Sequence, residues 1–261
     1  MGAHTQRGFT IIETMLVLAI TAMLVTGVFV GIGTSINVQR YRDSVQTLKS
    51  LLQDQYAEIS SVRNDRSNDW ACDSQAATSD AGSVLRGQSD CVLLGRLVTI
   101  NQSDITIYSV VGREASGATA ANDIDSLRNN YTLNVSTVEV VTDSLEWGAA
   151  IAWPAIGTGA QNPTTPRTLS VLFIRSPDSG QVYTFSSNDA AVEPGPQSLE
   201  NMIVTGDFVP GQAQLIICVT SNDLLVTDDY SITLAGFASV PNAVETTTNV
   251  LLEQKGVTTR C

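Results

Sequence analysis

The stretch "RGFTIIETMLVLAITAMLVTGVFVGIG" (residues 7–33) governs how the rest of the chain is read. From Thr14 to Ile36 there is no charged residue over 23 positions. A run of about 20 apolar residues is long enough to cross the hydrocarbon core of a bilayer as a helix. One carboxylate, Glu13, stands at its entrance. A charge near such a run costs up to roughly 3 kcal/mol at the bilayer centre and less towards the interface, so a partner must offset it. The order of signals is also unusual. A secretory signal has a charged start, an apolar stretch and then a small-residue cleavage site. Here the small residue, Gly8, comes before the apolar stretch. A cut after Gly8 would leave the whole hydrophobic helix on the product.

Beyond Asn37 the pattern turns one-sided. Val38, Tyr41, Val45, Leu48, Leu52, Gln55, Ile59 and Val62 are spaced alternately three and four apart, which predicts one buried helical stripe. Arg40, Arg42, Asp43, Lys49, Asp54 and Glu58 occupy the other faces. No proline occurs between Met1 and Ala149 to break the helix. One helix over residues 9–62 is expected, about 80 Å long. Within its apolar half, Gly27 and Gly31 match the small-residue spacing that lets membrane helices approach closely, a spacing that also arises from the ordinary frequency of glycine in such helices.

The texture then changes. Residues 63–83 form a polar segment holding the first cysteine. "CVLLGRLVTI" and "DITIYSVVGR" flank Asn101-Gln102-Ser103 and predict a hairpin. Residues 114–130 read as a long loop, followed by one strand, "YTLNVSTVEVV". "TLSVLFIR" and "QVYTFS" flank a five-residue turn over residues 176–180, and "AQLIICVT" and "YSITLAG" predict two more strands. The fold class expected is α+β: a long N-terminal helix followed by an antiparallel β head. Its parts are a leader (1–8), a transmembrane helix (9–36), an amphipathic helix packed on the head (37–63) and the head itself (64–261).

Composition narrows the function. The formal net charge is −12 and the only lysines are Lys49 and Lys255, which argues against bulk binding to nucleic acid or anionic lipid. Cys72, Cys91, Cys218 and Cys261 lack the close pairs of a zinc site. Two disulfides in an oxidising compartment is the favoured reading, against four buried thiols. Three connectivities are open, and the local one, Cys72–Cys91 with Cys218–Cys261, is preferred. His4 is the only histidine and lies in the leader, so no Ser-His-Asp triad, Cys-His pair or histidine metal site is expected in the processed chain. No enzyme activity, metal or cofactor is expected. Trp70, Trp147 and Trp153 are candidates for receptor or sugar contact if exposed, although most tryptophans are core.

The ordered set Gly8, Phe9, Thr10, Ile11, Ile12, Glu13, an uncharged run and an amphipathic extension resembles the N-terminus of type IV pilins and pseudopilins. The resemblance is specific over residues 7–18, extends over about 1–62, and is only general for the head. It implies cleavage by a prepilin peptidase between Gly8 and Phe9 on the cytoplasmic face, and N-methylation of Phe9. It implies polymerisation through the helix, in a homo-polymer or a mixed filament with other pilins, by way of an inner-membrane assembly platform. A disulfide near the C-terminus, as Cys218–Cys261 would give, also occurs in that family.

This resemblance implies an answer for Glu13. After cleavage Phe9 carries an ammonium, and Glu13 lies about 6 Å further along the helix. It sits in the first turn, where the helix dipole favours negative charge. In the family the matching glutamate pairs with the amine of a neighbouring subunit; the alternative is pairing with its own amine. Two charges about 4 Å apart at an effective dielectric of 20 attract by about 4 kcal/mol before desolvation is subtracted. Charge counting leaves orientation open, since Arg7 precedes the run while Arg40 and Arg42 follow it. The leader and paired cysteines place the head outside the cytoplasm. The expected protein is a single-pass membrane precursor that becomes a surface pilus subunit for adhesion, motility or DNA uptake. A type II secretion pseudopilin and a tethered binding protein that never polymerises are the alternatives.

Overall fold

The computed structural model describes residues 10–61, 70–79, 88–115, 122–152, 168–187, 196–205, 215–221, 230–235 and 241–254. Gly8, Phe9, Val62, Trp153 and Cys261 lie outside the described residues. Helix α1 (Ile11–Ser60) runs unbroken for 50 residues. Its first part is exposed on every side as far as Ile36 and is long and apolar enough to cross a membrane. Its second part buries Tyr41, Val45, Leu48, Leu52, Gln55 and Ile59, with Val38 half-buried. Ser44 and Tyr56, one position from members of that series, are buried as well and widen the stripe.

After a short pair, β1 (Ala71–Cys72) with β2 (Thr78–Ser79), the head is built from two antiparallel sheets. The larger contains β3 (Cys91–Asn101), β4 (Asp104–Glu114), β5 (Tyr131–Val135), β6 (Val141–Ser144), β8 (Thr168–Arg175) and β9 (Val182–Ser187). Their order is β5-β4-β3-β8-β9, and β6 pairs with the other end of β4. The smaller sheet contains β7 (Ala149–Ala152), β10 (Leu215–Ser221), β11 (Tyr230–Leu234) and β12 (Val244–Thr248), in the order β12-β11-β10-β7. The α+β arrangement of a long apolar helix followed by antiparallel sheets is that of a pilin-like chain.

Two expectations are corrected. The long loop expected at 114–130 contains helix α2 (Asp123–Asn129), capped by the Asn122 side chain, which accepts from the Asp125 N–H at 2.9 Å. The single strand expected in "YTLNVSTVEVV" is two, β5 and β6, which pair with residues 110–114 and 104–107 of β4. The break falls where the Ser136 hydroxyl accepts from Val138 N–H at 3.2 Å and Glu139 takes a φ of +57°.

The unalternating apolar runs of β3 and β8 have a clear cause: the large sheet is buried on both faces. On one face Val98, Ile100, Leu169, Val171 and Phe173 pack with Leu48, Leu52 and Tyr56 of α1 and with the smaller sheet. On the other, Leu97, Leu172, Ile174 and Phe185 pack with Leu127 of α2 and with Leu199 and Met202 of helix α3 (Pro196–Thr205). Helix α4 (Asn249–Gln254) follows β12.

Candidate functional site

The described chain begins at the N-terminal end of α1. Thr10 is the N-cap: its backbone is extended and its hydroxyl accepts from the Glu13 N–H at 3.3 Å. Thr10-Ile11-Ile12-Glu13 therefore fits the spacing of a capping box, which satisfies one of the orphan donors of the first turn. The bond assigns Thr10 a role that the charge argument alone had missed. Glu13 is exposed in that first turn, where the dipole favours its charge.

Four threonines punctuate the apolar run, and each folds its hydroxyl back onto the helix. Thr14 donates to Ile11 C=O (2.9 Å), Thr21 to Val17 C=O (2.9 Å), Thr26 to Met23 C=O (2.9 Å) and Thr34 to Gly31 C=O (3.0 Å). Hydroxyls satisfied within the helix do not oppose its transfer into hydrocarbon, where an unpaired polar group costs several kcal/mol. Gly27 and Gly31 lie one turn apart. A Cβ built at either meets nothing within 4 Å, so no contact among the described residues requires glycine there. Gly95 is the contrast: its Cβ would fall 2.3 Å from Phe173 C=O.

The far half of α1 is fixed to the head at several levels. The Tyr41 hydroxyl donates to Val219 C=O (2.5 Å) and accepts from Tyr230 N–H (3.1 Å). The Gln53 amide donates to Pro241 and Val244 C=O (3.3 and 3.2 Å). At the distal end Glu58 and Arg96 form an ion pair of 2.8 Å. The exposed apolar half continues the same unbroken helix out of the head.

Cys72 and Cys91 are joined by a disulfide that ties β1 to the start of β3, with their Cα atoms 6.2 Å apart. Cys218 is also disulfide-bonded; its expected partner, Cys261, lies outside the described residues. Trp70 is buried at 4 % exposure and cannot present its ring to a receptor, whereas Trp147 is 46 % exposed. Among the described residues no group of three or more His, Cys, Asp or Glu side chains could hold a metal ion.

Comparison with known families gives one match. Residues 3–29 match the model described as the prokaryotic N-terminal methylation motif. This is the prepilin signature of type IV pilins and pseudopilins. It spans the Gly8–Phe9 pair, Glu13 and Gly27, and ends short of Gly31 and of the head. No curated protein and no solved structure matches the chain. The prepilin signature therefore identifies the N-terminal machinery, and the head is read from its own structure.

Proposed function

We propose that the chain is a structural, non-enzymatic subunit of a type IV pilus, cut between Gly8 and Phe9, N-methylated at Phe9 and polymerised through α1. One observation carries this reading: a methylation motif covers the start of a capped helix whose uncharged run is exposed all round and whose distal half packs into a folded head. An apolar surface of that extent needs a bilayer first and other helices afterwards. In the filament, Glu13 meets the ammonium of a neighbouring Phe9, which sets axial register between apolar helices. Gly27 and Gly31 allow close approach, which fits their lack of any steric need within the chain. Prepilin peptidase, an inner-membrane assembly platform and other pilins are the partners, with the precursor held in the cytoplasmic membrane and the pilus outside the cell.

Mass spectrometry of sheared surface filaments tests this reading. A mature chain starting at a methylated Phe9 is expected, with 13 basic residues after loss of Arg7 against 26 acidic ones, a formal charge of −13. Recovery of intact Met1 chains from filaments would contradict it. A pseudopilin would show the same N-terminus but follow a secretion system's cargo, and a tethered binding protein would be absent from the filaments.

A further inference from the structure

Where α1 leaves its apolar run, the head holds a tryptophan outwards in a conformation that tryptophan rarely adopts. Trp147 has φ +61°, in a turn with Gly148 at +71°, and is 46 % exposed. A bulky residue in the left-handed region is an outlier that surrounding structure must enforce, and such strain gathers at functional positions. The Arg40 guanidinium lies over its ring, 4.5 Å from the centroid. Val140 and Val141, just before and at the start of the preceding strand β6, are 36 % and 52 % exposed.

The level of this pair along the helix is informative. The uncharged run of 23 residues measures about 34 Å as a helix, slightly more than the roughly 30 Å hydrocarbon core. Arg40 stands four residues past Ile36, about 6 Å further along the axis, inside a headgroup layer that adds roughly 5–7 Å on each side. Tryptophan and tyrosine concentrate at that level because their rings are apolar and their edges polar, and arginine reaches lipid phosphates there.

We propose that Arg40 and Trp147 form a membrane-interface anchor. Trp147 lies in the headgroup layer of the phospholipid leaflet from which the helix emerges, and Arg40 engages a lipid phosphate. Together they seat the head on the bilayer before assembly. The proposal rests on the reading of the apolar half of α1 as a membrane span. Glu146, beside Trp147, and Asp43, one turn of α1 beyond Arg40, are also exposed and oppose a net preference for anionic lipid.

The test uses the full chain reconstituted in phosphatidylcholine vesicles whose acyl chains carry bromine either close to the headgroup or near their ends. The emission lost in Trp147→Phe is the Trp147 signal, and this exposed substitution leaves the core untouched. Trp147 should be blue-shifted and quenched more by the shallow bromines than by the deep ones. Leu24→Trp, in the Trp147→Phe background, should be quenched more by the deep bromines and so report the span itself. Correct quenching at position 24 with none at Trp147 would overturn the anchor and leave the span standing. Loss of deep quenching at position 24 would overturn both. Trp147 shielded from iodide but not quenched by lipid, with shielding lost as protein is diluted into more lipid, would assign the patch to a second copy and also overturn the proposal.

Discussion

The hydroxyl of Tyr56 on α1 meets the Thr184 hydroxyl on β9 at 2.5 Å, in the interior between helix and sheet. The same phenol donates to Ala235 C=O at 3.3 Å, beyond β11, and its ring packs on Phe173 with centroids 4.6 Å apart. One side chain therefore links the stalk to both sheets. Tyr56→Phe leaves the buried Thr184 hydroxyl and Ala235 carbonyl without this partner and should cost about 1–3 kcal/mol. Tyr56→Ala should cost about 3–5 kcal/mol. Denaturant unfolding of the detergent-solubilised chain measures both.

Burial pushes the Tyr56 phenol up to about 12, against the lowering effect of its bond with Thr184. A phenol whose folded pKa exceeds its unfolded value of about 10 contributes stability that is fully present below that value and lost as pH rises through the folded pKa. Unfolding midpoints should therefore fall between about pH 10 and 12, together with the appearance of tyrosinate absorbance, and Tyr56→Phe should flatten the fall. Asp123 has the opposite sign. Hydrogen bonds from Ser179 and Tyr183 hold its carboxyl below the ordinary range despite partial burial. Its contribution is present above the unfolded pKa and is lost as pH drops through the folded one.

Two glycines should respond in opposite ways to the same change. Gly95→Ala drives a Cβ into the Phe173 carbonyl and should destabilise the head, since backbone has to shift. Gly31→Ala meets nothing among the described residues and should stabilise α1 by up to about 1 kcal/mol. If Gly31 serves close approach between helices, the alanine form should nonetheless enter filaments less well than the parent. Thermal unfolding and filament yield separate the two effects.

The cysteines are checked by non-reducing peptide mapping, which should link Cys72 to Cys91 and Cys218 to Cys261. Replacing Cys72 and Cys91 together by serine should lower head stability by about 3 kcal/mol in the chain-entropy model. Free thiols at all four positions in surface material would contradict an oxidising location for the head.

How much of this was legible follows physical lines. The stripe from Val38 to Ile59 was readable because one face of a long helix must be buried and its period leaves no alternative. The two hairpins were readable from their turns: Gln102 and Gly180 adopt positive φ where the chain reverses. Helix α2 was not, because seven mostly polar residues carry little periodic signal and bury one large apolar side chain, Leu127. Strand β7, "AAIA", was missed because alanine has weak strand preference; pairing with β10 supplies what propensity lacks. At the site, Glu13 and the glycine spacing were visible, whereas the capping role of Thr10 and the back-bonded threonines emerge only with the hydrogen bonds.

The most direct test of the account concerns Glu13. Glu13→Gln keeps the size and the cap, whose bond runs from the backbone N–H to Thr10, but removes the charge. Co-expression of tagged parent and Glu13→Gln chains, followed by quantitative mass spectrometry of sheared filaments against the membrane pool, gives an incorporation ratio. If the carboxylate recognises a neighbour's ammonium, both forms should be cut after Gly8 and fold their heads, while the glutamine form is strongly depleted from filaments. Equal incorporation of the two forms would show that apolar packing alone specifies assembly and would contradict the role assigned to Glu13.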